Sequence, residues 1–409
     1  MDVCVRKIRK IDKGDIMMKK NFAKMFMAST LLAGVLAGCS GAKDSAGGGG
    51  DTVKLGVNLE LSGGVASYGE SLASGINLAV DEINKKGGVD GKKIELVKVD
   101  NKSDAAEATN GAIKLTSQDK VTAIIGAATS GDTVAQAEIA DSNKTVLLSP
   151  SGTAPNVTVT DKGKLNEYVF RTSFIDPFQG TVAANFAAKE LKVKNVAIFA
   201  DSASDYAKGL AASFKETFEK AGGKVVSEEA YVGKDTDFRA TLTRIKSKKP
   251  EFIFIPGYYE EVGLIVKQAR ELGINVPLMG ADGWDSPKLV ELAGADALNN
   301  TYITNHYSSE DPDKKIQTFV SAYKEKNNGE SPNAFNALGY DSVYLLADAI
   351  KSAGSTDPSK IKAALEKTKD LSLVTGVVTI DKNHNPIKSA TVLEYKDGKQ
   401  VFNTKVAPE

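Results

Sequence analysis

From Val53 onward the chain alternates short runs of strand-forming apolar residues with stretches whose apolar positions recur at helical spacing. Val53-Lys54-Leu55-Gly56-Val57 opens the series. Leu72, Ile76, Ala79, Val80 and Ile83 follow at offsets of 4, 7, 8 and 11 residues, one apolar stripe along a helix that Gly87-Gly88 stops. Residues 94–99 then read as strand and 104–118 as helix, and strands at 121–126 and 146–148 flank a helix around 134–140. After Arg171 the pattern restarts, with strands at 196–200, 225–226, 252–255 and 276–279. Helices are expected through Phe214 and Phe218 and over 262–272. Strands alternating with helices predict parallel sheets covered on both faces, hence an α/β protein with two Rossmann-like lobes.

The 409 residues suffice for two such units, with a boundary near 169–172. Beyond Thr301, helices are expected near 314–326, 340–353 and 361–367, with one short strand run at 377–380. This part is expected to return and complete the existing lobes. The division is a first lobe of residues 52–171 plus 304–373 and a second of 172–303 plus 374–409. Several crossovers between two lobes make a hinge beside a cleft, and ligands of open α/β sheets bind beyond the carboxyl ends of the strands.

Formal charge is zero, with 52 basic and 52 acidic residues, but the first 38 residues hold eight Lys/Arg and three Asp/Glu, leaving 44 against 49. An acidic body without a basic cluster excludes nucleic acid as the expected partner. His306 and His384 are the only histidines and no Cys follows Cys39, too few ligands for a zinc or iron–sulfur site. The basic excess belongs to an address. Lys19, Lys20 and Lys24 precede an apolar stretch over 25–37, the layout of a secretory signal and short for a bilayer span. Residues 1–38 are read as that signal, with Met17 or Met18 as the expected start. Its end, Leu36-Ala37-Gly38-Cys39, resembles a bacterial lipobox, which implies that Cys39 is acylated and becomes the mature N-terminus. Residues 39–51, glycine-rich at 47–50, are read as a flexible tether.

Three loops fall at the carboxyl ends of predicted strands. Ala127-Ala128-Thr129-Ser130-Gly131 runs into a helix, where backbone N–H groups beside a hydroxyl suit a carboxylate or another small anion. Ser149-Pro150-Ser151-Gly152-Thr153-Ala154-Pro155 offers carbonyls, N–H groups and the Thr153 hydroxyl. Gly280-Ala281-Asp282-Gly283-Trp284 carries a lone carboxylate able to hold an ammonium. An anion seat and a cation seat together match the zwitterion of a free amino acid. Each feature has an ordinary reading alone: Ser130 as a helix cap, the other loops as turns, and Tyr68, Tyr206, Tyr258 and Phe335 as core packing. Their convergence at the cleft favours binding.

Enzyme signatures are missing. The sequence has no Gly-x-Ser-x-Gly elbow, no Walker-type phosphate loop and no His-Glu-x-x-His pair, and nothing marks His306 as a base. The chain is expected to bind rather than catalyse, without a cofactor.

Leu61-Ser62-Gly63 with Tyr68-Gly69, then Ala79-Val80-Asp81-Glu82-Ile83-Asn84 with Gly87-Gly88, begin a series of short motifs. Ser149-Pro150, Phe170-Arg171-Thr172, Asp205-Tyr206-Ala207-Lys208-Gly209 and Gly339-Tyr340-Asp341 follow in order. Over residues 53–407 the chain thereby resembles the type I substrate-binding proteins of ABC importers, in particular the Leu/Ile/Val-binding branch. The resemblance implies the type I periplasmic-binding-protein fold, two lobes joined by a three-strand hinge that close over an amino acid. It further implies that Ser130 and Thr153 bind the ligand carboxylate, helped by backbone N–H groups. The Ser151 carbonyl, the Thr153 hydroxyl and Asp282 would take the ammonium, and Tyr68, Phe335, Tyr206 and Tyr258 would line the side-chain slot, with Tyr259 competing for the role of Tyr258. Leu/Ile/Val binders often have Glu where this chain has Asp282, which sets the carboxylate back by one methylene, and Trp284 beside it is expected to reshape the slot. The absence of a Cys near the first site loop, with the lipobox, fits a Gram-positive cell surface.

The expected protein is a monomeric, lipid-anchored, extracytoplasmic carrier of a branched-chain or aliphatic L-amino acid. It would deliver its ligand to an ABC permease driven by separate ATPase subunits. One alternative is an amide- or urea-type importer protein, for which Asp282 is the discriminating residue. Another is a ligand-sensing lobe for a signalling receptor, which would need a fused transmembrane or signalling segment.

Overall fold

The computed structural model describes residues 52–407; the expected signal, Cys39 and the tether lie outside them. The first lobe winds through β1 (Thr52–Leu59), α1 (Ala66–Lys85), β2 (Lys93–Asp100), α2 (Ala105–Ile113), β3 (Ala123–Gly126), α3 (Ser130–Ser142), β4 (Val146–Ser149) and β5 (Val169–Arg171). Its five strands are all parallel, in the order β2-β1-β3-β4-β5. β3 and β4, Ala-Ile-Ile-Gly and Val-Leu-Leu-Ser, are buried along their whole length, as a sheet with helices on both faces requires. Strand order reverses between β1 and β3, so the crevice beyond their carboxyl ends is the natural binding position.

The second lobe repeats the plan with α4 (Asp176–Asn185), β6 (Asn195–Asp201), α5 (Asp205–Lys220), β7 (Lys224–Tyr231), α6 (Arg239–Ser247), β8 (Phe252–Phe254), α7 (Tyr259–Glu271), β9 (Leu278–Gly280), α8 (Pro287–Ala293) and β10 (Thr301–Asn305). β7, β6, β8, β9 and β10 are parallel neighbours, with a second reversal between β6 and β8.

The chain then crosses back as α9 (Lys314–Lys326), α10 (Ala334–Ala353) and α11 (Pro358–Leu365). α10 packs on α1 at close range: a Cβ on Gly75 would clash with the Asn336 carbonyl, and one on Gly339 with the Leu72 carbonyl. A small sheet of β11 (Leu371–Leu373), β12 (Gly376–Ile380) and β13 (Pro386–Ile387) precedes the hairpin β14 (Ala390–Lys396) and β15 (Lys399–Val406). β14 pairs antiparallel with β10, so the second sheet has seven strands and a mixed edge, where the strand–helix pattern predicted parallel pairing and one strand run after Thr301. The reason is local. Asp397-Gly398, with φ of 49° and 74°, forms the tight turn that joins antiparallel strands. The half-polar strands beside it hide the signal that an apolar run would give.

Three segments pass between the two sheets, after Arg171, after Asn305 and around Lys388; the last falls later than the expected boundary at 373/374, because His384 stacks on Phe170 of the first lobe and holds the preceding strands there. Thr172 and Ser342 share a hydroxyl hydrogen bond of 2.9 Å, and buried Lys388 donates to the Thr375 hydroxyl. Asp341 accepts the N–H groups of Val374 and Thr375, both at 2.8 Å.

Candidate functional site

The carboxyl ends of both sheets face one cavity. On the first-lobe side, Thr129 rather than Ser130 caps α3, its hydroxyl oxygen accepting the Asp132 N–H at 3.3 Å. The Ala128 and Thr129 N–H groups donate to Glu60, each at 2.9 Å, and the Thr129 hydroxyl adds a third bond of 2.9 Å. Glu60, fully buried just past β1, therefore occupies N–H groups expected to receive a ligand anion. Beside it, burial and the Glu60 charge push the Asp132 carboxyl up to about 8.

Ser130 has a different part. Its Oγ accepts the N–H groups of Thr153 at 3.2 Å and Ala154 at 3.1 Å. With both lone pairs taken, the hydroxyl keeps only its proton to offer, which makes it a donor toward an anion. The Ser151 hydroxyl donates to the Ala128 carbonyl at 2.7 Å. Arg171, buried on β5, clamps the loop that carries Ser151 and Thr153, donating to the Gly152 carbonyl at 2.8 Å and the Ala154 carbonyl at 2.9 Å. Burial lowers that guanidinium to about 10, still charged at neutral pH.

On the second-lobe side, Asp282 follows β9 on a short helical turn and is 3% exposed. Its Oδ1 accepts from the Tyr206 hydroxyl at 2.8 Å and Gln179 Nε2 at 3.0 Å, and its Oδ2 lies 3.1 Å from His306 Nε2. Gln179 also donates to Asp176 at 3.1 Å. Burial, reinforced by Asp282, pushes the Asp176 carboxyl up to about 8.

Aromatic rings wall the space between these seats. Tyr68 stacks on Phe335 with centroids 4.4 Å apart, Tyr206 stacks on Tyr258 at 5.2 Å, and Tyr68 meets Tyr258 edge-on at 5.8 Å. Tyr68 donates to the Gly283 carbonyl and accepts the Tyr259 N–H at 3.2 Å, tying the lobes together. Tyr259 turns away from the cavity and donates to the Gly64 carbonyl at 3.0 Å, leaving the wall position to Tyr258.

Ser130, Ser151, Thr153, Asp282, Tyr68, Tyr206, Tyr258 and Phe335 all line this one narrow space, together with Ala128, Thr129 and Gly283. Trp284, expected to narrow the slot, does not line it; its indole is fully buried under Gly280 and donates to the Ile255 carbonyl at 3.0 Å. Sequence reasoning did not single out Glu60, Asp132, Asp176 or Gln179, and left His306 without a partner. Position was the available signal for Glu60, a lone carboxylate one residue past β1 at the strand-order reversal. Gln179 and His306 are brought to Asp282 from α4 and the second crossover, and no local pattern reports that. Among the described residues no cluster of side chains could hold a metal ion, and no helix is long and apolar enough to cross a membrane.

A family model described as periplasmic binding protein matches residues 52–400. The leucine-, isoleucine-, valine-, threonine- and alanine-binding protein of Pseudomonas aeruginosa is 33% identical over 77% of this chain and 82% of its own length. The branched-chain amino acid transporter substrate binding protein LivJ from Streptococcus pneumoniae, solved in complex with isoleucine, is 43% identical, with a TM-score of 0.82 over 87% of this chain and 100% of its own. An ABC-transporter solute binding protein from R. palustris, solved in complex with benzoate, is 26% identical, with a TM-score of 0.77 over 87% of this chain and 97% of its own. With its two lobes, parallel central strands and inter-lobe cavity, this chain belongs to the periplasmic binding protein family.

Proposed function

We propose that this chain captures an aliphatic L-amino acid between its lobes and delivers it to an ABC importer permease, working outside the cytoplasm from a lipid anchor at Cys39. The observation that carries the reading is one aromatic-walled space with a hydroxyl forced to donate on one side, at Ser130, and a carboxylate on the other, at Asp282. Burying a zwitterion is unfavourable unless both charges meet hydrogen-bonding partners. Such a cavity therefore selects for the α-carboxyl and α-amino groups together, and the rings select the side chain. An apolar slot separates ligands differing by one methylene by only ~1–3 kcal/mol, so several aliphatic amino acids are expected to bind. The ligands named for the Pseudomonas and Streptococcus relatives support this class.

The benzoate complex of the R. palustris relative favours a second reading, a carboxylate ligand without an amino group. That ligand would use Ser130 and Thr153 but gain nothing from Asp282. Calorimetry separates the two. Leucine, isoleucine or valine should bind, benzoate should not, and Asp282→Ala should weaken amino-acid binding by ~2–5 kcal/mol, the loss for one partner of a buried charge pair. Benzoate binding with an unchanged affinity in Asp282→Ala would overturn the amino-acid reading.

A further inference from the structure

Asp282 is a short side chain, yet three separate parts of the second lobe reach its carboxylate. Tyr206 at the start of α5 and Gln179 on α4 share Oδ1, and His306, the first residue of the second crossover, reaches Oδ2 at 3.1 Å. A carboxylate offers about four lone-pair positions. Three are filled by protein donors, and the fourth lies on Oδ2 next to the His306 bond. That bond therefore determines where the last acceptor position points.

The surroundings of His306 fit this task. The ring is 3% exposed and stacks on Phe174, with centroids 3.8 Å apart and planes 21° from parallel. Its Nδ1 is buried without a hydrogen-bond partner. The charged groups nearby are Asp282 itself, Asp176 across Gln179, Asp285 on the Asn305 side chain, and the more distant Lys388. Burial holds the imidazole down to about 4, so the ring is neutral, and the tautomer that satisfies the Asp282 carboxylate is the one with its single proton on Nε2. A bare ring nitrogen in the core is unfavourable, and Phe would fill the same stack without it. What His adds over Phe is the Nε2–H bond.

We infer that His306 is a positioning residue for amino-group recognition: its Nε2–H holds Asp282 so that the remaining Oδ2 lone pair meets the ligand ammonium, which makes the site prefer an amino acid to the same skeleton bearing a carboxylate alone. The inference rests on the amino-acid reading above. A residue that merely supported the fold would affect both ligands equally.

The test is calorimetry of wild type, His306→Phe and His306→Gln against leucine and against isocaproate, which is leucine without its amino group. His306→Phe should weaken leucine about 10- to 100-fold, the factor for one hydrogen bond to a charged group, and isocaproate less than about 2-fold. His306→Gln, whose amide N–H can reach the same oxygen, should recover most of the loss. Equal weakening of both ligands, or none, overturns the inference while wild-type leucine binding leaves the amino-acid reading standing. Wild type that binds no amino acid removes both. Should His306→Phe fail to fold, nitrogen NMR of wild type decides, because the chain has only two histidines to assign. A neutral Nε2–H ring from about pH 5 to 8 is expected, and an Nδ1–H ring or an imidazolium overturns the inference.

Discussion

A buried carboxylate is tolerated when donors meet it, and acidic residues around this cleft meet that condition to different degrees. Glu60 has three donors from two residues and Asp282 has three from three. Asp132 and Asp176 are less well served, and burial raises each from 3.8 to about 8. The folded chain then holds protons that the unfolded chain releases between about pH 4 and 8, so these groups lower stability as pH rises through that window. Asp132→Asn should remove its share of the slope, and Asp176, titrating in the same window, should keep the rest. Denaturant unfolding at intervals across that window checks this; a slope identical to wild type would show that Asp132 is ionised in the fold. Glu60 also explains why the expected anion seat is smaller than the loop sequence suggests. The chain's own carboxylate takes two of the N–H groups, and the Ser130 hydroxyl stands in their place.

Elements are held at distances set by their smallest residues. The α1–α10 contact is close because Gly75 faces the Asn336 carbonyl and Gly339 faces the Leu72 carbonyl. Backbone cannot yield as a flexible side chain can. Gly339→Ala should destabilise by ~1–3 kcal/mol, as over-packing does, seen as a lower denaturation midpoint at unchanged slope. An unaltered midpoint would mean that the helices slide apart freely. The strand–helix alternation placed β1 to β4 and β6 to β9, because the apolar runs of buried parallel strands stand out from the helical spacing around them. It missed β5, which is three residues long, and β10, β14 and β15, in which polar residues interrupt the apolar run, although Asp397-Gly398 was a legible hairpin turn.

At the scale of the whole molecule, two sheets aim their carboxyl ends at each other, and direct bonds span the gap. Ser67 meets Ser286 at 2.8 Å, Tyr259 meets Gly64 at 3.0 Å, and Asn156 meets Asp205 at 3.0 Å. This closed arrangement brings the polar seats and the aromatic walls into one cavity. For the proposed carrier, the remaining requirement is to stay beside its membrane. Cys39→Ala should move the protein from the membrane fraction into the medium while leaving amino-acid affinity within about 2-fold, because a lipid anchor contributes binding only through its buried chains. Retention in the membrane fraction would rule out acylation at Cys39 as the anchor.

Sequence by itself determined the α/β lobe architecture and the strand-end loops that line the cavity, because periodicity and strand-end position are local properties that follow the order of residues. The resemblance, rather than any local pattern, pointed to Ser151 and to the aromatic residues beside Ser130, Thr153 and Asp282 that line the same space. Only the tertiary structure decided which donors are already spoken for, that Trp284 belongs to the core, and that Gln179 and His306 stand behind Asp282. These bonds join separate elements of one lobe, 103 residues apart for Gln179 and 24 for His306, and depend on how its helices and strands pack, which no local pattern encodes.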